Sequence, residues 1–147
     1  MDSSVNLRQY VIYVSGPYSG DIKANIASAR TQALNVWNAG FTGLCPHLNT
    51  SGFEMDCDAN YLDYIEGDKR LLDGCDAMFL IECWSESQGA AEEKKYAEEV
   101  GKPVFYHLDN IVEYFTVNQP STSPEAQKQM MKRLAGIIND LTELIDG

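Results

Sequence analysis

Glu93 and Asp68 are acids standing where the periodicity of their own segments calls for apolar side chains. In the run from Ser87 to Val100, a helix turning about 100° per residue gathers Ala90, Glu93, Ala97 and Val100 on one stripe, with Glu93 at its middle. Upstream, Tyr61, Ile65, Asp68 and Leu72 recur at helical spacing, so Asp68 takes the inward face of its helix in the same way. An acid buried without a partner costs several kcal/mol. Two such placements therefore predict a polar pocket beneath both helices, and a pocket of that kind reads as an active site. A buried carboxylate beside an anion-holding turn can serve as a nucleophile on an electron-poor carbon while a second acid protonates the leaving group. That is the division of labour of retaining glycosyl transfer. Burial is expected to raise the pKa of Asp68 towards the working range.

The elements that must position these acids can be read from the pattern. Residues 10–15 form a β-rich run ended by Gly16-Pro17-Tyr18-Ser19-Gly20, a turn built on strong chain punctuators. Ile26, Ala29, Ala33, Val36 and Trp37 keep helical spacing until Gly40, which stops the helix. Residues 41–45 read as a second strand leading into Pro46 and His47, and residues 50–58 as an aperiodic, mobile loop over the site. Asn60 opens the Asp68 helix. Residues 77–81 are almost wholly apolar, as expected of a parallel strand covered on both faces. The Glu93 helix follows, then a break at Gly101-Lys102-Pro103 and a strand over residues 104–107. Strands alternating with helices define an α/β fold, a Rossmann-like three-layer sandwich with a mainly parallel sheet and right-handed crossovers. The catalytic-type domain spans residues 1–115. Residues 116–147 hold a Pro/Ser/Thr-rich linker and an amphipathic C-terminal helix marked by Met130, Leu134, Ile137, Leu141 and Ile145, able to pack on the domain or on a neighbouring subunit.

In parallel sheets ligands bind beyond the carboxyl ends of the strands. Three segments converge there: Ser15 to Gly20, Cys45 to Thr50, and Trp84 to Gly89. Gly16 and Gly20 permit close backbone approach, and Ser87 and Gly89 open a helix whose N–H groups and dipole attract an anion. Binding candidates are therefore Gly16, Pro17, Tyr18, Ser19, His47, Trp84, Ser87 and Gly89. The plainer alternatives are specific. Glu93 could turn to solvent or pair with Arg30 or Arg70, Asp68 could cap or pair locally, and Asp76 could bind nearby backbone at a strand edge. Tyr13 and Tyr18 could be ordinary core and surface aromatics, His47 a satisfied loop histidine, and Trp84 core filler in place of a base-stacking platform.

With 147 residues and 44% hydrophobic content the chain makes one globular domain. Its 11 Lys and Arg against 22 Asp and Glu, a formal charge of −11, argue against duplex nucleic acid, whose phosphates must be neutralised. A small anion held by backbone N–H groups remains compatible. The polar N-terminus and the lack of a long apolar run point to a cytoplasmic protein without a membrane partner. Cys45, Cys57, Cys75 and Cys83 form no C-x-x-C pair, so reduced, buried thiols are expected and neither a metal nor a cofactor is implied.

Tyr13-Val14-Ser15-Gly16-Pro17, Asp68 ahead of Cys75-Asp76-Ala77, and Ser87-x-Gly89-x-x-x-Glu93-x-x-x-Ala97 together resemble the nucleoside 2-deoxyribosyltransferase superfamily. Within it the likeness is to 2'-deoxynucleoside 5'-phosphate N-hydrolases and to an uncharacterised, phage-rich branch with the pattern Y-x-S-G-P. The resemblance covers about residues 10–107. It implies a reaction at the glycosidic carbon of a nucleotide or nucleoside, with Glu93 as nucleophile forming a covalent glycosyl intermediate. It implies Asp68 as the acid that assists base departure, and Tyr13 as an aromatic beside the nucleophile. Gly16, Ser87 and Gly89 match positions that hold a 5'-phosphate, and Asp76 matches a residue of less definite role. The first loop lacks the extra Ser, Gly and Arg of many hydrolases, and Lys23 or Arg30 would have to replace that cation. The resemblance also leads to the expectation of a homodimer or higher homo-oligomer. Two other readings stay open: a catalytically silent nucleotide-sensing module, and cleavage of another N-glycosidic bond such as that of a nicotinamide dinucleotide. The absence of a G-x-G-x-x-G fingerprint weighs against the latter.

Overall fold

The computed structural model describes residues 6–118 and 124–146. Four strands and six helices follow one another as β1 (Val11–Ser15), α1 (Ile22–Asn38), β2 (Thr42–Leu44), α2 (Pro46–Asn49), α3 (Tyr61–Asp73), β3 (Ala77–Leu80), α4 (Gln88–Glu99), β4 (Val104–Phe105), α5 (Leu108–Asn118) and α6 (Pro124–Asp146). The strands pair in the order β2-β1-β3-β4, all parallel, with Tyr13 beside Met78 and Ser15 beside Leu80. The fold is the α/β, Rossmann-like arrangement that the alternating pattern predicts.

The period-2 alternation of the strands separates two cores. Ile12, Val14, Ala77, Phe79 and Ile81 face one side, where Ala29, Ala33 and Val36 of α1 and Ile111 and Phe115 of α5 cover them. Tyr13, Met78 and Leu80 face the other side, under Leu72 of α3 and Ala90 and Ala97 of α4. Helices thus lie on both faces of the sheet. The chain leaves β1 for β2 on one side and β3 for β4 on the other, so the strand order reverses between β1 and β3. A crevice must open at their carboxyl ends.

Local capping sets where the helices begin. The Asp21 side chain accepts from Ala24 N–H, so α1 starts at Ile22, a turn ahead of the first periodic residue. Asn60 and Asp63 form a reciprocal capping box at the start of α3, and the Ser87 hydroxyl accepts from Ala90 N–H at the start of α4.

Several sequence expectations are corrected. Tyr10 precedes β1 and stacks on Phe115 at 4.4 Å between ring centroids. Trp37 is 43% exposed, with the Arg8 guanidinium lying over its ring. Val100 is the residue after α4 and is exposed, because the helix ends one position short of the full stripe. Pro46 and His47 lie in the short helix α2 and not in open loop. Of the cysteines only Cys45 and Cys75 are buried. Cys57 and Cys83 are exposed, Cys57 just past a 3-10 turn and Cys83 in a left-handed turn with φ 68°, where neither packs into a core.

Helix α5 was not anticipated and runs across the expected boundary at residue 115. Ile111 and Phe115, one turn apart, anchor it on the sheet. The interior of the expected linker, residues 119–123, lies outside the described residues. Among the described residues no helix is long and apolar enough to cross a membrane.

Candidate active site

A cavity of about 530 Å³ occupies the crevice above the carboxyl end of β1, between the β1–α1 turn, α2, α3 and the start of α4. Its lining includes Asp68, Glu93, Gly16, Tyr18, Ser19, His47, Ser87 and Gly89 among the residues expected from the sequence. Pro17 and Tyr13 do not line it, and Asp76 and Trp84 lie elsewhere.

Glu93 is 4% exposed, one of two buried polar or charged residues in the described chain, and the other is Ser15. They are partners: Ser15 Oγ donates to Glu93 Oε1 at 2.7 Å. The contact follows from two alternations. Period 2 in β1 turns Tyr13 and Ser15 to the face opposite Val14, and helical spacing in α4 places Glu93 between Ala90 and Ala97, whose small side chains let the helix lie close to the strands. Tyr13 is wholly buried, and its hydroxyl makes no hydrogen bond of ordinary geometry although it lies within electrostatic reach of Glu93. Burial first, and then the Glu93 charge, push this phenol well above its usual value.

Burial pushes Glu93 up to about 8, against the opposing pull of the Ser15 bond, and proximity to Asp68 adds to the rise. Asp68 is raised as well, chiefly by burial, with Glu93 and the nearby imidazole of His47 holding the rise back. The two carboxyls lie within electrostatic reach of each other, and both line the cavity. Glu93 is the more deeply buried of the two, whereas the sequence directs attention to burial of Asp68. Neither Arg30 nor Arg70 pairs with Glu93, and Lys23, Arg30 and Arg70 are exposed and do not line the cavity.

His47 meets the turn after β1, and burial holds its imidazole below the usual value. Its Nε2 is buried with no hydrogen-bond partner among the described residues. Such an orphaned atom on a cavity wall calls for a bound group. The Tyr18 ring packs edge-on against His47 at 5.4 Å. Its hydroxyl donates to Glu54 at 3.0 Å and accepts from Gly52 N–H at 3.1 Å. Through Tyr18 the segment over residues 50–58, which contains a 3-10 turn at Phe53–Met55, is fastened across the cavity. Sequence reasoning named Tyr18 but missed Glu54, Asn60, Tyr61 and Tyr64, which also line the cavity. The helical spacing of Tyr61, Tyr64 and Asp68 was the available signal.

The two glycines have packing reasons as well. A Cβ on Gly16 would come within 2.3 Å of Ile81 Cγ1, so only glycine lets the turn after β1 lie against β3. A Cβ on Gly89 would come within 3.2 Å of Ile65 Cδ1, where α4 approaches α3. Ser87 caps α4 by accepting from Ala90 N–H, and Ser87, Gln88 and Gly89 at the start of the helix line the cavity, where N–H groups without an intrahelical acceptor are found.

Asp76 stands at the amino end of β3, where its Oδ2 accepts from Val11 N–H at 2.8 Å. It holds the opposite edge of the sheet, far from the carboxyl ends, because a residue that begins a parallel strand cannot reach the end where ligands collect. Trp84 borders a second hollow of about 620 Å³ with Gln32, Asn35, Tyr106 and His107, its ring 5.8 Å from that of Tyr106 and covered by Lys94. Neither residue reaches the acid pair.

The fold is thus a parallel α/β sheet whose switch point carries two neighbouring acids on the wall of one cavity. The chain belongs to a family defined by a domain of unknown function, DUF4406, whose model matches residues 10–106 and so takes in every cavity-lining residue named above. Among solved structures it is similar to a 2-desoxiribosyltransferase from Leishmania mexicana, at 19% identity and a TM-score of 0.50 over 65% of this chain. The match spans 62% of that enzyme, and at this identity the likeness concerns the fold. No curated protein matches the sequence.

Proposed function

We propose that this protein cleaves or transfers at the N-glycosidic bond of a nucleoside or nucleotide, with Glu93 as nucleophile and Asp68 as acid and base. The observation that carries the reading is the Glu93–Asp68 pair itself: two acids from different helices, within electrostatic reach of each other and with no Lys or Arg among the lining residues, on the wall of a cavity large enough for such a ligand. Structural ion pairs are neutralised by Arg or Lys. A pair held together without one is expensive to maintain and suits chemistry that needs one ionised and one protonated carboxyl.

In the reacting arrangement one proton sits on Asp68 and the charge on Glu93, where the Ser15 hydroxyl donates to it. A Glu93 oxygen forms a bond to the sugar C1' as the C1'–N bond breaks, and the Asp68 proton goes to the departing base. Water, or a nitrogen of a second base, then attacks C1' and gives its proton to Asp68, and the C1'–O bond to Glu93 breaks. Tyr13 acts through Glu93, since it lies beneath the carboxyl and not on the cavity wall. The similar Leishmania enzyme is a desoxiribosyltransferase, which agrees with this chemistry.

The cavity lining favours an uncharged nucleoside over a 5'-phosphate. Glu54, Asp68 and Glu93 bring three carboxyls to it, and no Lys or Arg is among its lining residues. A phosphate would have to rely on Ser19, Ser87 and the first turn of α4 alone. The test is chromatography of a panel of ribo- and deoxyribonucleosides with and without 5'-phosphate, incubated with and without an acceptor base. Base release by the wild type and its loss in Glu93→Gln is the expected result. Turnover retained by the variant would overturn the assignment of Glu93, and nucleotide binding without turnover would leave a sensing module.

A further inference from the structure

Helix α6 runs 23 residues and presents Leu134, Ile137, Ile138, Leu141, Leu144 and Ile145 with between 47% and 83% of their surface exposed. The rest of this chain therefore leaves the face uncovered. Leu134, Ile137, Leu141 and Leu144 keep the alternating three- and four-residue steps of a coiled-coil seam, and Ile138 and Ile145 widen it on one side. A stripe this long and regular needs a partner.

The charges say which partner. Lys132 and Arg133 precede Asp140 and Glu143, and the last turn carries no basic residue. That order opposes the helix dipole, which favours cations near the carboxyl end. A second α6 running the other way reverses the balance, because each acidic half then lies along the other's basic half.

We propose that α6 pairs with the α6 of a second copy of this chain in an antiparallel coiled coil. A two-fold axis between residues 135 and 136 sets Leu134 against Ile137 of the other copy, and the reverse. The same register brings Arg133 alongside Asp140 of the other copy, twice, because both occupy the position that precedes a seam residue. Sliding by one heptad would set Asp140 against Asp140, so charge selects the register as well as the direction. The pairing is independent of the proposed chemistry, since none of these residues lines the cavity.

Sedimentation equilibrium of the full chain tests it. The wild type sediments as a dimer at micromolar concentration. Leu141→Asp, at a position already exposed in the single chain, sediments as a folded monomer by circular dichroism. Arg133→Asp and Asp140→Arg each place like charges together twice and weaken the dimer on the order of tenfold. An equimolar mixture of the two variants restores both opposite-charge pairs and recovers the wild-type dissociation constant. A monomeric wild type overturns the proposal. So does a dimer that survives Leu141→Asp, or a dimer indifferent to the charge reversals, the behaviour of a parallel pair in which Arg133 meets Ile138.

Discussion

Replacing Glu93 by Gln should stabilise the fold, and by an amount that grows with pH. Gln keeps the shape and its carbonyl still accepts from Ser15 Oγ, so the substitution removes a titrating charge and little else. In the wild type the folded-state value is raised from 4.5 to about 8. Over that interval the folded state keeps a proton that the unfolded chain has shed, so stability is fully present below about 4.5 and is lost as pH rises towards 8. At 1.36 kcal/mol per pH unit the whole interval corresponds to about 5 kcal/mol. Asp68 carries part of the same burden and the cavity admits water, so about 2 kcal/mol is expected to appear. Urea denaturation of both proteins at half-unit steps from pH 5 to 9 measures it. The stability difference, variant over wild type, should widen by about 2 kcal/mol between pH 5 and 8 and then level off. Parallel pH profiles would refute the reasoning, since they would mean that the Glu93 carboxyl titrates as it does in the unfolded chain.

Two further outcomes follow from the same geometry. The kcat/KM for base release should fall as pH rises past about 8, where the acid pair gives up its proton; Ser15→Ala removes the hydroxyl that favours the ionised form of Glu93 and should move this limb to higher pH, and an unmoved limb would dissociate it from Glu93. Gly16→Ala, whose new methyl meets Ile81 Cγ1, should cost about 1 to 3 kcal/mol in urea denaturation, and Ile81→Ala in the same chain should cost less than the two changes added separately; strict additivity would mean that the turn moves aside without strain.

The parts of this molecule legible in the sequence are those governed by a strong local period. The apolar run that becomes β3, the small-residue stripe around Glu93 and the turn at Gly16 all reappear where the pattern puts them, because each carries its own burial or backbone constraint. Helix α5 escaped because the buried anchors among its described side chains are Ile111 and Phe115, and the intervening Glu113 and Tyr114 carry no clear signal. Asp76 and Trp84 misled for a different reason. Asp76 precedes β3, so chain order alone puts it at the amino end, where it accepts from Val11 N–H; Trp84 follows β3 at the carboxyl end, but which side of the strand ends it borders could not be read from chain order. The Ser15–Glu93 bond joins residues 78 apart and could not be read from either segment alone.

That bond also explains why the acid is tolerated at all. A buried carboxyl with one neutral donor and an acidic neighbour is a net cost to the fold, and hydrophobic burial elsewhere must exceed it. The layers supply this from both sides: Ile12 and Val14 of β1 lock the strand onto α1 and α5, and Tyr13 and Ser15 of the same strand are thereby held against α4. The hydroxyl that restrains Glu93 is thus fixed by packing on the opposite face of the sheet. A side chain so positioned loses little further freedom when a ligand arrives, which is the condition under which a weakly compensated charge is useful to chemistry. Loosening the far core, for example at Val36 or Ile111, should therefore weaken the hold on Glu93 without touching the cavity.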